Sequence, residues 1–305
     1  MRERITIAFA VFILVLGIPY IGTLIINGLP SVKAKPASVQ EIDSKRTVSV
    51  EVNNEYKVLD VEEYLLGVLP TVMEPTGDLE IWKAMAIIER TNIYRQMEGA
   101  GNIDAGDLYE EYLTKDEIIR LWGTRRYNRL IGTVERAIIE TAGVAICYDG
   151  EYIEAYYHHV NSGTTVSAEE LLGIPIPYLT SVTSGHDVES KDYMNIMYID
   201  KSEIGNLEVT AMTEHGYVKS VKCDGVEMSA EEFCGSYHVP SYLFCVEEVE
   251  AEPDRHRIIA LGMGHGMGLS VYGAKVLSSQ GKEYEDILLY YYPGTQLTDG
   301  LQQTM

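Results

Sequence analysis

Four glycines alternate around one histidine in Gly262-Met263-Gly264-His265-Gly266-Met267-Gly268, and Leu269-Ser270-Val271-Tyr272-Gly273-Ala274 follows. Glycine permits positive φ and close backbone approach, so this is a shaped loop that can hold an imidazole against a ligand. His265 is placed to orient an acid, to bind substrate, or to donate to a carbonyl of its own loop. Tyr272 offers a ring that stacks on a ligand face or packs inward. A second cluster, Tyr157-His158-His159, precedes Asn161-Ser162-Gly163-Thr164-Thr165. Such a turn of amides and hydroxyls suits the polar groups of a ligand, or satisfies its own hydrogen bonds. A third segment, Glu63–Asn92, carries Glu74 ahead of Pro75, and then Lys83 and Arg90, seven apart on one helical face.

The elements that must position these groups are legible from period and punctuation. Thr47–Val61 alternates and turns at Asn53-Asn54, which predicts a β-hairpin. Val61–Leu69 reads as a short helix, and Asp78 as the N-cap of a helix over Leu79–Met97 whose inward face is Ile81, Ala84, Met85, Ile88 and Ile93. Thr114 with Glu117 forms a capping box for a helix through Trp122, and a further helix runs over Tyr127–Thr141 to a stop at Gly143. Strands are expected at Val144–Tyr148 and Tyr152–His158 around Asp149-Gly150, then at Leu207–Thr213, Val218–Cys223 and Val226–Met228. Ser229 with Glu232 opens a short helix, and Tyr284–Tyr292 is a last helix stopped by Pro293-Gly294. The class is α+β, with helices early and antiparallel strands late.

Taken in order, the Glu63–Asn92 segment, Gly143–Thr165 with Pro177-Tyr178-Leu179, the glycine loop and the closing Tyr284–Leu297 stretch resemble the stage II sporulation protein D family, which includes amidase enhancers. The resemblance covers roughly residues 46–298. It implies a bacterial cell-wall protein whose active members are lytic transglycosylases, cutting peptidoglycan glycan strands without water to leave a 1,6-anhydro sugar. Their single carboxylic acid protonates the leaving oxygen and then takes the proton of the attacking 6-hydroxyl, which requires a pKa raised by an apolar pocket.

Carried over residue by residue, Glu63-Tyr64, Gly67, Met73, Glu80, Lys83-Ala84 and Arg90-Thr91 fall on family positions, and the catalytic glutamate falls on Val72. His158, Gly163, Thr165 and Ser270 match the pattern; Ser162 replaces a usual glycine and Val271 a usual glutamine. Arg90 is expected to clamp the loop of Val72, to meet a substrate carboxylate, or to pair with Glu63 or Glu80. Zinc, held by some members near the Tyr157-His158-His159 segment, is not expected, because no cysteine follows closely.

Two readings result. In the first, the chain is a glycan-binding, weakly active or inactive member that acts in sporulation and engulfment, holding strands or recruiting a wall amidase or other sporulation membrane proteins. In the alternative it is an active transglycosylase using Glu74 as acid and base, kept extended by Pro75. In either, His158, Ser162, Gly163, Thr165, His265, Ser270, Tyr272 and Arg90 are the candidate substrate contacts.

Composition bounds these readings. With 305 residues, 46% of them hydrophobic, the chain can build a proper core. A formal charge of −22 opposes nucleic-acid binding, which needs Lys and Arg at phosphates. Ile5 to Ile26 is an uncharged run of 22 residues, the length of a bilayer core and longer than the apolar part of a cleavable signal, although Val32-Lys33-Ala34 weakly resembles a cleavage site. The expected organisation is a cytoplasmic tail (1–4), a single-pass membrane anchor (5–26), a linker (27–46), a mixed helix and antiparallel-sheet extracytoplasmic domain (47–298) and a tail (299–305). Cys147, Cys223, Cys234 and Cys245 show no CxxC spacing; a site with His238 is conceivable, free thiols or one disulfide are simpler, and no metal or cofactor is expected.

Overall fold

The computed structural model describes residues 38–299. The anchor expected over 5–26 and most of the linker lie outside the described residues, and among these no helix is long and apolar enough to cross a membrane. The end of the stretch read as linker is packed: Val39 and Ser44 are fully buried, and Ser44 donates to Asp60.

Chain order begins with the hairpin β1 (Thr47–Val52) and β2 (Glu55–Asp60), where Asn53 and Asn54 take the positive φ that a tight two-residue turn demands. Asp60 then caps helix α1 (Val61–Val72). This helix is three residues longer than Val61–Leu69. Pro70 sits inside it, where its lost N–H and ring press on the last turn, and the helix ends two residues on. Asp78 caps α2 (Leu79–Gln96) by accepting from Glu80 N and Ile81 N. Strand β3 (Asn102–Asp104) pairs in parallel with β1. The Thr114–Glu117 capping box starts α3 (Lys115–Trp122), and α4 (Thr124–Glu140) follows after Gly123.

Helices α1, α2 and α4 pack with the buried ring of Trp82 as the largest core side chain. Against them lies a sheet ordered β14-β4-β5, from β4 (Val144–Tyr148), β5 (Glu151–Tyr152) and β14 (Gln296–Asp299). The strand expected over Tyr152–His158 breaks instead and resumes as β6 (Tyr157–His158). Between them the Asn92 side chain takes the place of a strand partner, accepting from Ala155 N at 2.9 Å and donating to Ala155 O at 3.3 Å.

A second, smaller hydrophobic cluster gathers around Phe233, Val218 and Ile258. It is built from β7 (Met194–Asp200), β8 (Leu207–Met212), β9 (Val218–Cys223), β10 (Val226–Ser229), β11 (Phe244–Glu248) and β12 (Arg255–Leu261). Their sheets are ordered β11-β12-β7 and β10-β9-β8, with antiparallel pairing throughout. The Ser229–Glu232 capping box opens a helix over Ala230–Tyr237. After the glycine loop, β13 (Leu269–Ser270) leads into a helix over Val271–Ser279, and a last helix covers Tyr284–Tyr291.

Candidate functional site

The two histidine segments meet because β13 pairs in parallel with β6, setting Leu269 opposite Tyr157 and Ser270 opposite His158. Glycine is what permits the approach. At Gly264, φ is +109° and a Cβ would stand 2.7 Å from His158 Cβ; at Gly268, φ is +67° and a Cβ would stand 1.9 Å from Tyr156 O. The C-terminal end of α1 faces this junction. A cleft of about 540 Å³ is bounded by Val72, Asn92, Tyr156, His158, His265 and Glu110.

Both imidazoles are neutral by construction. His158 Nδ1 donates to Met267 O at 2.9 Å, so Nε2 accepts from Asn161 Nδ2 at 3.1 Å; burial pulls its pKa down to about 4. His265 Nδ1 accepts from Met267 N at 3.0 Å while the other ring nitrogen donates to the Tyr157 carbonyl. Burial, and then the charge that His158 would carry, pull its pKa down to about 3. Its ring meets Tyr156 edge-on at 5.5 Å and Tyr242 at 6.4 Å. The two loops therefore give the cleft uncharged rings held in fixed orientations, while Glu110, Glu154 and Glu231 bring carboxyl groups to the same lining.

Of the other candidates, Val72 lies on the cleft wall, buried and without a titratable group. Glu74 does not line the cleft. Its side chain is 80% exposed, 3.9 Å from Lys191, in a separate depression shared with Tyr272 and Lys275. Ser162 Oγ lies 3.1 Å from Tyr217 Oη. Gly163 N donates to Asn161 Oδ1 at 2.8 Å, and Thr165 Oγ1 accepts from Val182 N at 2.8 Å, so this turn is tied internally. Ser270 is buried, caps the following helix at Gly273 N and donates to Asp187. Arg90 is buried away from the cleft. It holds Glu62 through two bonds of 2.7 and 2.5 Å and donates to Val144 O, so neither Glu63 nor Glu80 is its partner. The four cysteines are free thiols.

Sequence reasoning missed a carboxyl. Glu89, on α2, is 3% exposed, and its Oε1 has no hydrogen-bond partner among the described residues. Burial, and then the charge of Glu110, push its pKa up to about 8. The Tyr157 hydroxyl lies against Glu89 and donates to Glu110 Oε1 at 3.0 Å. Position 89 stands four residues from both Met85 and Ile93, on the apolar face, and a charge there is the signal that could have found it.

These features define an α+β protein whose glycine loop and histidine strand close one wall of a cleft, and comparison with known proteins shows what it is similar to. The stage II sporulation protein family pattern matches residues 50–148. Stage II sporulation protein D of Bacillus subtilis is 28% identical over 295 residues, covering 90% of this chain and 82% of the relative. That of Bacillus amyloliquefaciens is 27% identical over 292 residues, covering 88% and 81%. The amidase enhancer of Bacillus subtilis is 24% identical over 298 residues, 77% of this chain and 40% of that protein. The chain is thus similar to stage II sporulation protein D and to the amidase enhancer, with the family pattern itself falling on residues 50–148.

Proposed function

We propose that this protein remodels the cell wall during sporulation by holding peptidoglycan glycan strands in the cleft between Val72 and the two histidine loops. The observation that carries the reading is the cleft lined by rings and hydrogen-bonding groups, with His158 and His265 locked in single tautomers beside Asn92 and Tyr156 and with Glu110, Glu154 and Glu231 on its walls. The names of the relatives supply the wall and sporulation context. Membrane attachment through residues 5–26, with the folded part on the outer side, is part of the proposal, as is docking of a wall amidase or another sporulation membrane protein. An aliphatic side chain at position 72 cannot protonate a leaving oxygen, and Glu74 is too exposed and too far aside to replace it.

The test is co-sedimentation of the purified full-length protein with isolated sacculi. Retention that is lost on widening the cleft wall with Tyr156→Ala is expected. Equal retention by that variant, or none by the wild type, overturns the reading.

A further inference from the structure

In the Glu89–Tyr157–Glu110 cluster a buried carboxyl, one oxygen of which lacks a hydrogen-bond partner among the described residues, stands next to a carboxyl on the cleft. Glu110 belongs to the loop after β3 and lines the cleft that Val72 and the histidines border. Glu89 sits behind it, almost wholly buried, beside a small hollow of about 40 Å³ also lined by Glu110, Tyr64 and Asn92. Tyr157 joins the two, its hydroxyl donating to Glu110 and touching Glu89. The groups facing Glu89 are Glu110, Tyr157, Tyr64 and Tyr292, and no lysine or arginine among the described residues pairs with it. Glu89, almost wholly buried with the Glu110 carboxyl nearby and no cation among the described residues beside it, holds its proton at neutral pH.

We propose that Glu110 is the general acid and base of this cleft, fed by Glu89 through the Tyr157 hydroxyl, so that glycosidic bonds are cut with no carboxyl at position 72. The inference rests on the reading that the cleft holds glycan. The proton passes from Glu89 to the Tyr157 oxygen as the Tyr157 proton passes to Glu110. Glu110 then protonates the glycosidic oxygen as its bond to C1 breaks. The 6-hydroxyl oxygen of the same sugar bonds to C1, and its proton goes to the Glu110 carboxylate, restoring the pair. No water and no further reactant is consumed. Glu110 would be the catalytic residue, while Glu89 and Tyr157 are positioning residues that act through it.

The experiment incubates the full-length protein with sacculi across pH 5 to 9, measuring bound protein and released anhydro-muropeptides in parallel. Wild type should release product with a rate that falls as pH rises past about 8, where the buried carboxyl loses its proton. Glu110→Gln should lower the rate by about 100-fold with retention on sacculi unchanged. The isosteric Glu89→Gln should cost about tenfold at neutral pH and move the alkaline fall to lower pH, a change that mere loosening of the fold does not produce. Tyr157→Phe should behave like Glu89→Gln, and Glu74→Gln like wild type. Bound wild type that yields no anhydro product, product undiminished in Glu110→Gln, or a pH profile unmoved in Glu89→Gln each overturns the inference while glycan binding stands. Absence of retention on sacculi removes the glycan reading and this inference with it.

Discussion

Arg90 and Glu62, 28 positions apart, face each other in a wholly buried two-point ion pair, and Glu62 Oε1 also accepts from Gly143 N at 3.0 Å. With Arg90 donating to Val144 O, the pair fastens α1 to α2 and to the start of β4, the three elements behind the cleft. Removing one partner strands the other charge in the core. Arg90→Met or Glu62→Leu should each cost about 3–5 kcal/mol in urea unfolding, and the double variant less than the sum of the two. Arg90→Lys should rescue little, since an ammonium cannot reproduce the fork.

Glu89 makes a prediction about stability against pH. Its pKa is about 8 in the fold and 4.5 when free, so between those values the folded state binds the extra proton. Stability from this group is full below the free value and drains away as pH rises through about 8. The difference in melting temperature between Glu89→Gln and wild type should therefore shift in the variant's favour from pH 5 to pH 9. A constant difference would show that the carboxyl titrates normally.

The imidazoles of His158 and His265 act in the opposite sense. Their folded pKa values of about 4 and about 3 lie below the free value of 6.5, so their contribution is lost as pH falls from 6.5 through 4. Ring proton signals of both residues in NMR should stay fixed from pH 8 down to pH 5. Retention on sacculi should be flat over the same window.

Gly268 tests the meeting of the two loops. Its positive φ disfavours any L side chain, and a methyl would collide with Tyr156 O. Gly268→Ala should lose about 1–3 kcal/mol from backbone strain alone, with more from the clash, and should abolish retention on sacculi in any protein that still folds. Gly150→Ala, also at positive φ but with nothing within 4 Å, should lose stability without losing retention.

Local grammar made much of the fold readable before any coordinates. The Asn53-Asn54 turn, the Asp78 cap and the boxes at Thr114 and Ser229 each act within four residues and stand where their chemistry predicts. What escaped was set by distant partners. The strand at Tyr152–His158 broke because Asn92, over sixty positions away, bonds Ala155. The strands β7, β11 and β12 and the helix at Val271–Ser279 went unmarked; in β7 the large apolar residues Met194, Ile196 and Tyr198 sit on the exposed face, against the usual pattern. For the site, the convergence of the histidine loops and the cleft position of Val72 were foreshadowed by motif order. The inward turn of Ser270 toward Asp187 and the burial of Arg90 were not, because hydroxyl and guanidinium groups serve core networks as readily as ligands.

The ring of His265 borders not only the main cleft but also a neighbouring hollow of about 380 Å³, walled by Leu171, Lys219, Tyr242 and Met267. A single imidazole thus stands as a mullion between two bays. A short saccharide can occupy one bay only, whereas a continuous chain can lie across both, so avidity should climb in a step once an oligomer grows long enough to bridge the ring.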